Sequence, residues 1–510
     1  MNKQNNPILI ISTISITLIV LGVISFLINK IFFEKKNSVI DVEITLLGDT
    51  FSGYSTFRSE EFQEKLQEIG ITLNYENEFD QSKRANLLNE GDADLYVTTL
   101  DQFLKQQPQG KIVGLVDRTI GADAVVLNTQ KYPQLKSLRD LKELSDLNQG
   151  NSLGITYAVD TPSEYLALVL STSFEEFNLN NFEVEEVVDA SEAWKALQDK
   201  SQNIAVAVLW EPFVTQARKQ GYTVVLSSKD APTAILDVIV ASNDLLNQQP
   251  EVISNFLEAY YRRIDTNLRD TSGLKNEIAE DGNLSKDEAT TILDGIDFFT
   301  SIEAKNWISD GILEKRINST AAVLVLSEKM NQLPQNITEL FTSQFIDKAA
   351  SNTQKLIDLV RLDNPELADI LEGKDSLVAN TPNLTSDEII NAEDIGNVNI
   401  QGEVKFAKNS SILTQESEET LNRLAEKIKD FNPQTVAIQV IGHTSKIGNH
   451  QYNQKLSQKR AEVVVNLLQK KGLSHNIIPE GKGFYLPLSG MKPEDPRQQR
   501  TEIRLVRINE

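Results

Sequence analysis

The sequence predicts an α/β protein built in three parts, and three observations carry that prediction. Residues 8–28 form a run of 21 residues without a charge. Short apolar runs alternate with helical stretches from about residue 42 to 348. From 398 onward a second, smaller alternation of strands and helices closes the chain.

The uncharged run is rich in Ile, Leu and Val and has the length a helix needs to cross the hydrocarbon core of a bilayer. No small-x-small cleavage pattern follows it, so residues 1–37 are expected to be an uncleaved, single-pass transmembrane anchor. Lys3 precedes the run, while Lys30, Lys35 and Lys36 follow it. Taken literally, the positive-inside rule leaves the bulk of the chain in the cytoplasm. The span lacks Asp and Glu, which argues against a proton-conducting role.

In the second part the strand-like runs fall at 42–47, 95–98, 112–115, 124–127, 153–156, 204–209, 223–226 and 237–241. Helical stretches at 59–69, 164–171 and 190–200 separate them, and a helical tail occupies 250–268, 285–298 and 304–315. Residues 349–397 turn polar and read as a linker with one short helix at 353–362. The third part reads strand 400–406, helix 415–431, strand 435–442, helix 454–471, strand 478–481 and strand 501–508. Its second helix sets Leu456, Val463, Val464, Leu467 and Leu468 on one face, and Gly472 ends it.

Composition narrows the chemistry. The formal charge of −23 and the lack of a sizeable basic patch oppose a nucleic-acid partner. The absence of cysteine excludes disulfides, thiolate metal sites and a lipid anchor through an N-terminal Cys. The three histidines, His443, His450 and His475, all lie near the C-terminus. The middle of the chain therefore has no imidazole for acid–base work or zinc binding.

Three clusters stand out in the third part. Gly442-His443-Thr444-Ser445 ends a strand, 453–461 opens a helix, and Arg500 opens the last strand. Together with Gly448, Asn453, Leu456, Ser457, Arg460, Ala461, Val464, Gly481 and Gly483, they resemble the OmpA-like family over about 398–510. The resemblance implies an α/β sandwich that holds peptidoglycan through Thr444, Ser445, Asn453, Leu456, Arg460 and Arg500. In that family an Asp after Gly-His-Thr meets the diaminopimelate ammonium and the helix Arg meets its carboxylate. Here Arg460 is present, but Ser445 stands at the Asp position, and a neutral hydroxyl is a weaker partner than a charge. This implies either weaker diaminopimelate binding or a different stem-peptide partner, the alternative being a retained fold that has lost its ligand.

A second set of residues runs through 38–348. It comprises 49–54 after the first strand, Gly91-Asp92-Ala93-Asp94, Gly121-Ala122-Asp123-Ala124, Thr161-Pro162-Ser163-Glu164-Tyr165, 208–213 and Asp237. Their order resembles the type 2 periplasmic solute-binding proteins of the nitrate, sulfonate and thiamine-pyrimidine transport group. That implies a two-lobed type 2 periplasmic-binding-protein fold with a ligand cleft. The residues implied to line it are Asp49, Thr50, Gly53, Tyr54, Thr99, Asp123, Thr161, Ser163, Trp210, Glu211 and Asp237. Thr161 and Pro162 read as the capped start of a helix whose N–H groups suit an anion. Against this, Asp49, Asp101, Asp123, Glu164, Glu211 and Asp237 make the cleft acidic, which suits a cationic or neutral ligand.

The combined expectation is a solute-binding protein, not an enzyme, with no cofactor and no metal. It is anchored in the cytoplasmic membrane with its domains in the periplasm, is tethered to peptidoglycan, and delivers or senses a small polar solute, with an ABC transporter permease as a further implied partner. The extracytoplasmic resemblance of both domains outweighs the flanking lysines. The thiamine-pyrimidine synthases that share this fold use a histidine and a cysteine-rich motif, both absent from the middle region. The alternative is a membrane-to-wall scaffold with a vestigial cleft.

Overall fold

The computed structural model describes residues 42–147, 152–374, 381–400 and 402–508. The expected membrane span at 8–28 lies outside the described residues, and among these no helix is long and apolar enough to cross a membrane.

The chain builds β1 (Val42–Gly48), β2 (Ile71–Asn77), β3 (Leu95–Thr99) and β4 (Gly110–Thr119), then leaves for a second sheet. That sheet comprises β5 (Asp123–Leu127), β6 (Leu153–Ala158), β7 (Phe182–Val187), β8 (Ile204–Trp210) and β9 (Thr223–Ser227). It then returns as β10 (Leu236–Ser242) and β11 (Ile296–Phe298). The first sheet has the order β11-β4-β10-β3-β1-β2 and the second β7-β6-β8-β5-β9. The returning β10 inserts antiparallel between β3 and β4. Two lobes therefore share two chain crossings, as the sequence predicts. Strands β3, β5, β6 and β10 are buried along their whole length, which explains why they read as continuous apolar runs without alternation.

The span 349–397, expected as a polar linker, is largely folded. Helices Asp347–Val360 and Pro365–Leu371 bury Ile357, Leu367, Ala368 and Leu371 in a cluster that also takes in Ile302 of the first lobe. Only a thin apolar stripe does this packing, so the polar outer face dominated the sequence pattern. The same span supplies the Ser386–Ile390 helix, closed by a Thr385–Glu388 capping box, and β12 (Glu393–Asn397).

The C-terminal sheet adds β13 (Val436–His443), β14 (Ile477–Gly483) and β15 (Thr501–Arg507) in the order β12-β15-β13-β14. The strand expected at 400–406 makes only an isolated bridge, Phe406 to Leu413. β12 already occupies the edge of β15 there, and Gly402 turns the chain at φ +131°. Ile400, Val404 and Phe406 still pack on the core, which is why they mimic a strand. The His450–Lys470 helix is rotated relative to the expected apolar face. It buries Asn453, Ser457, Arg460, Ala461, Val464, Val465 and Leu468, while Leu456 is half-buried. Two strand glycines set this rotation. A Cβ on Gly442 would lie 2.3 Å from Ser457 O, and one on Gly481 would lie 2.4 Å from Gln458 N.

The C-terminal sheet does not hang free. Leu138, Phe174 and Phe177 of the second lobe share one hydrophobic core with Leu421, Ile428, Phe431, Ile438 and Leu505. Phe174 meets Phe431 edge-on at 5.9 Å. Backbone bonds cross the boundary: Leu138 N donates to Ile395 O (2.9 Å), Glu175 N to Asn397 O (3.0 Å) and Asn432 N to Asp230 O (2.8 Å). Arg507 reaches Val224 O and Val225 O, each at 2.6 Å, and buried Asp230 at 3.1 Å.

Candidate functional site

The first candidate site lies where the two lobes meet. Tyr54, in the short turn after β1, is buried, and its hydroxyl donates to Asp237 at the start of β10. Asp237 sits opposite Thr99 of β3 in the ladder. The second Asp237 oxygen is buried without a hydrogen-bond partner among the described residues. Gly53 allows the turn to come this close, because a Cβ there would lie 2.4 Å from Asp117 Oδ2. Sequence reasoning missed Asp117. It lies on β4, fully buried, with neither carboxyl oxygen partnered among the described residues. A carboxyl inside an apolar strand was the available signal.

From the second lobe come Asp123 and Ser163. Ser163 Oγ donates to Asp123 Oδ1 at 3.1 Å, and both are buried. Burial pushes the Asp123 carboxyl up to about 7, with Glu211 adding to the rise. Asp237 is likewise raised to about 7, chiefly by burial, with Asp49, Asp101 and Asp123 adding repulsion. Asp101 is raised to about 6 by burial. Asp117 is raised well above its ordinary value by burial and by Asp237. Carboxyls this close and this dry resist ionising together.

Other expected cleft residues have different duties. Asp49 accepts from Phe51 N (2.9 Å) and pairs with the fully buried Arg84 guanidinium at 2.9 Å. Thr50 is exposed. Thr161 does not cap its helix. Its hydroxyl turns back to Ala158 O at 2.7 Å, while Pro162 takes the first helical turn as expected. Glu164 reaches back to Asp160 N (2.9 Å) and is paired with Lys105 (3.6 Å) and Lys329 across the seam between the lobes. Trp210 ends β8 opposite Asp123 and is half-buried. The Glu211 carboxylate caps the next helix through Thr215 N (3.1 Å) and Thr215 Oγ1 (2.9 Å).

The second candidate site is in the C-terminal domain, around Arg460. This guanidinium is buried, donates to Ser410 O (3.0 Å) and Gln499 Oε1 (3.3 Å), and lies 5.0 Å from the Phe406 ring. Burial lowers its pKa, and no carboxylate among the described residues forms an ion pair with it. Thr444 and Ser445 are buried at the end of β13, and the Thr444 hydroxyl has no partner among the described residues. Asn453 closes the loop by donating to Ile447 O at 2.9 Å. Arg500 is engaged elsewhere: it pairs with Glu502 at 2.7 Å, which also meets His443 Nε2 at 3.2 Å. Burial alone would raise Glu502, but His443 and Arg500 outweigh it and hold the carboxyl down to about 2.

Residues 405–501 match the OmpA family, and residues 66–270 match the family described as NMT1/THI5 like. The outer membrane protein A of Shimwellia blattae is 34% identical over 101 residues, covering 20% of this chain and 42% of that protein. That of Klebsiella aerogenes is 37% identical over 92 residues, covering 18% and 26%. The chain thus spans less than half the length of these curated relatives. Among solved structures, the periplasmic sulfonate-binding protein SsuA of Methylobacillus flagellatus KT is 15% identical, covering 62% of this chain and 96% of that one, with a TM-score of 0.48. The periplasmic nitrate-binding protein NrtA of Synechocystis PCC 6803 is 10% identical, covering 61% and 89%, with a TM-score of 0.47.

Proposed function

We propose that this chain, which joins an NMT1/THI5-like region to an OmpA-family domain, is a solute-binding protein of the bacterial cell envelope tethered to peptidoglycan. In this reading it binds its ligand without transforming it. Residues 8–28 anchor it in the cytoplasmic membrane, and a transporter permease or a signalling partner receives the solute. The observation that carries the reading is the meeting of Tyr54, Asp117 and Asp237 from one lobe with Asp123 and Ser163 from the other, at a seam joined by two crossings. Such a seam is where a ligand that touches both lobes closes them.

The wall end of the proposal rests on Arg460, a buried guanidinium free of any carboxylate among the described residues and suited to a stem-peptide carboxylate. The test is retention of the detergent-solubilised full chain on purified sacculi. Wild type is expected to be retained and Arg460→Ala lost; equal retention of both would sink the wall reading. For the cleft, a thermal-shift screen of small polar solutes should find one that raises Tm. The full chain is the material to use, because the C-terminal domain shares a core with the second lobe. The scaffold reading is favoured by the tight seam, with Lys105 and Lys329 both paired to Glu164. It expects no solute to shift Tm.

A further inference from the structure

We propose that the cleft takes an organic cation carrying a protonated amine, seated against Asp117 and Asp237 of the first lobe. This rests on the solute-binding reading and names the ligand class for it.

Charge comes first. Asp49, Asp101, Asp123 and Asp117 all act on Asp237 or are acted on by it. Two guanidiniums act on this group and both are already held: Arg84 by Asp49, Glu78 O (2.8 Å) and Val97 O (2.7 Å), and Arg118, whose charge partly offsets the rise at Asp117, by Asp297 and by Glu303 at 2.9 Å. The neighbouring cations are engaged by other carboxylates, and among the described residues none bonds an oxygen of Asp117 or Asp237.

Hydrogen bonding comes second, and it is independent of charge. Both Asp117 oxygens and Asp237 Oδ2 are buried and lack partners among the described residues. Buried polar groups in folded proteins are nearly always bonded, so a cluster of orphaned acceptors implies a missing donor. An ammonium has three donors and no acceptor, which complements this set.

The alternatives fit less well. An anion would look to the start of the Pro162–Ser173 helix. That end already faces the chain's own carboxyls, through Ser163 to Asp123 and through Asp160 N to Glu164. A bare metal ion needs several carboxylates converging on one point, and among the described residues no three acidic or His side chains do so. A charge borne on an organic ligand of ammonium size is what remains.

The experiment is titration calorimetry and thermal shift on the full chain in detergent at pH 8. The probes are 1,4-diaminobutane, ethylammonium, nitrate, methanesulfonate, calcium and a mixture of neutral nucleobases and amino acids. An amine is expected to bind and raise Tm. Asp117→Asn and Asp237→Asn, which keep the side-chain shape, are each expected to weaken it at least about 30-fold. Both variants should fold, since each removes a buried carboxyl that has an unpartnered oxygen. Unchanged amine affinity in the two variants would overturn the assigned site. Binding of nitrate, methanesulfonate, calcium or a neutral solute in place of amines would overturn the cationic class and leave the solute-binding reading standing. If no probe of any charge binds, the solute-binding reading falls and takes this inference with it.

Discussion

Asp237 illustrates how one buried carboxyl can be tuned by its surroundings. It faces Tyr54 from the turn after β1, Asp49 from the end of that strand, Asp101 from the helix after β3, Asp117 from β4 and Asp123 from β5. Its folded value of about 7 lies above the ordinary carboxyl range. The folded state therefore holds the proton more tightly than the unfolded chain, and stability falls as pH rises toward 7. The empty protein should lose Tm between pH 5.5 and 8, and Asp237→Asn should show a smaller loss. Identical slopes for the two would contradict this assignment. In the C-terminal domain, Ser445→Asp adds a charge at the end of β13, where the proposed wall reading expects the ligand's ammonium. Stronger retention on sacculi is the expected result, read as the salt concentration needed for release.

Elements show which parts of the fold the sequence exposes. β1, β3 to β6 and β8 to β10 were legible, most plainly where burial on both faces leaves unbroken apolar runs as in β5 and β10, whereas β2 and β7 are interrupted by polar residues and the three-residue β11 lies in a stretch expected to be helical. β12 was not legible, because Glu393–Asn397 contains one large apolar residue and pairs only along an edge. The rotation of the His450–Lys470 helix was hidden for a related reason. Its buried face begins with Asn453, Ser457 and Arg460, held there by the close approach of Gly442 and Gly481. Gly442→Ala should then force the helix away from β13 and cost roughly 1–3 kcal/mol in chemical denaturation. Of the expected cleft residues, Tyr54 and Asp237, and Ser163 and Asp123, are buried and hydrogen-bonded in pairs. Asp117 was hidden inside its strand, and Thr161 and Glu211 proved to serve local backbone geometry.

At the scale of the molecule, the C-terminal domain belongs with the second lobe. Arg507 carries much of that attachment, since removing it leaves buried Asp230 without its guanidinium. Arg507→Ala is expected to destabilise the chain by about 3–5 kcal/mol and to expose the boundary to limited proteolysis. The link to the first lobe is slighter. Arg316 and Asp430 pair at 2.6 Å, but Asp430 is 38% exposed. Arg316→Ala should change stability by no more than about 1 kcal/mol. The described chain enters the first lobe at Val42, whereas the C-terminal domain is fused to the second. A mechanical pull between those two points is expected to load the contacts that join them. It runs through the seam, where Arg316–Asp430 and the lysine pairs to Glu164 stand in its path before the shared core does. On the proposed reading, a pull that opens the lobes is expected to weaken solute binding, so tension and occupancy of the site would each report on the other.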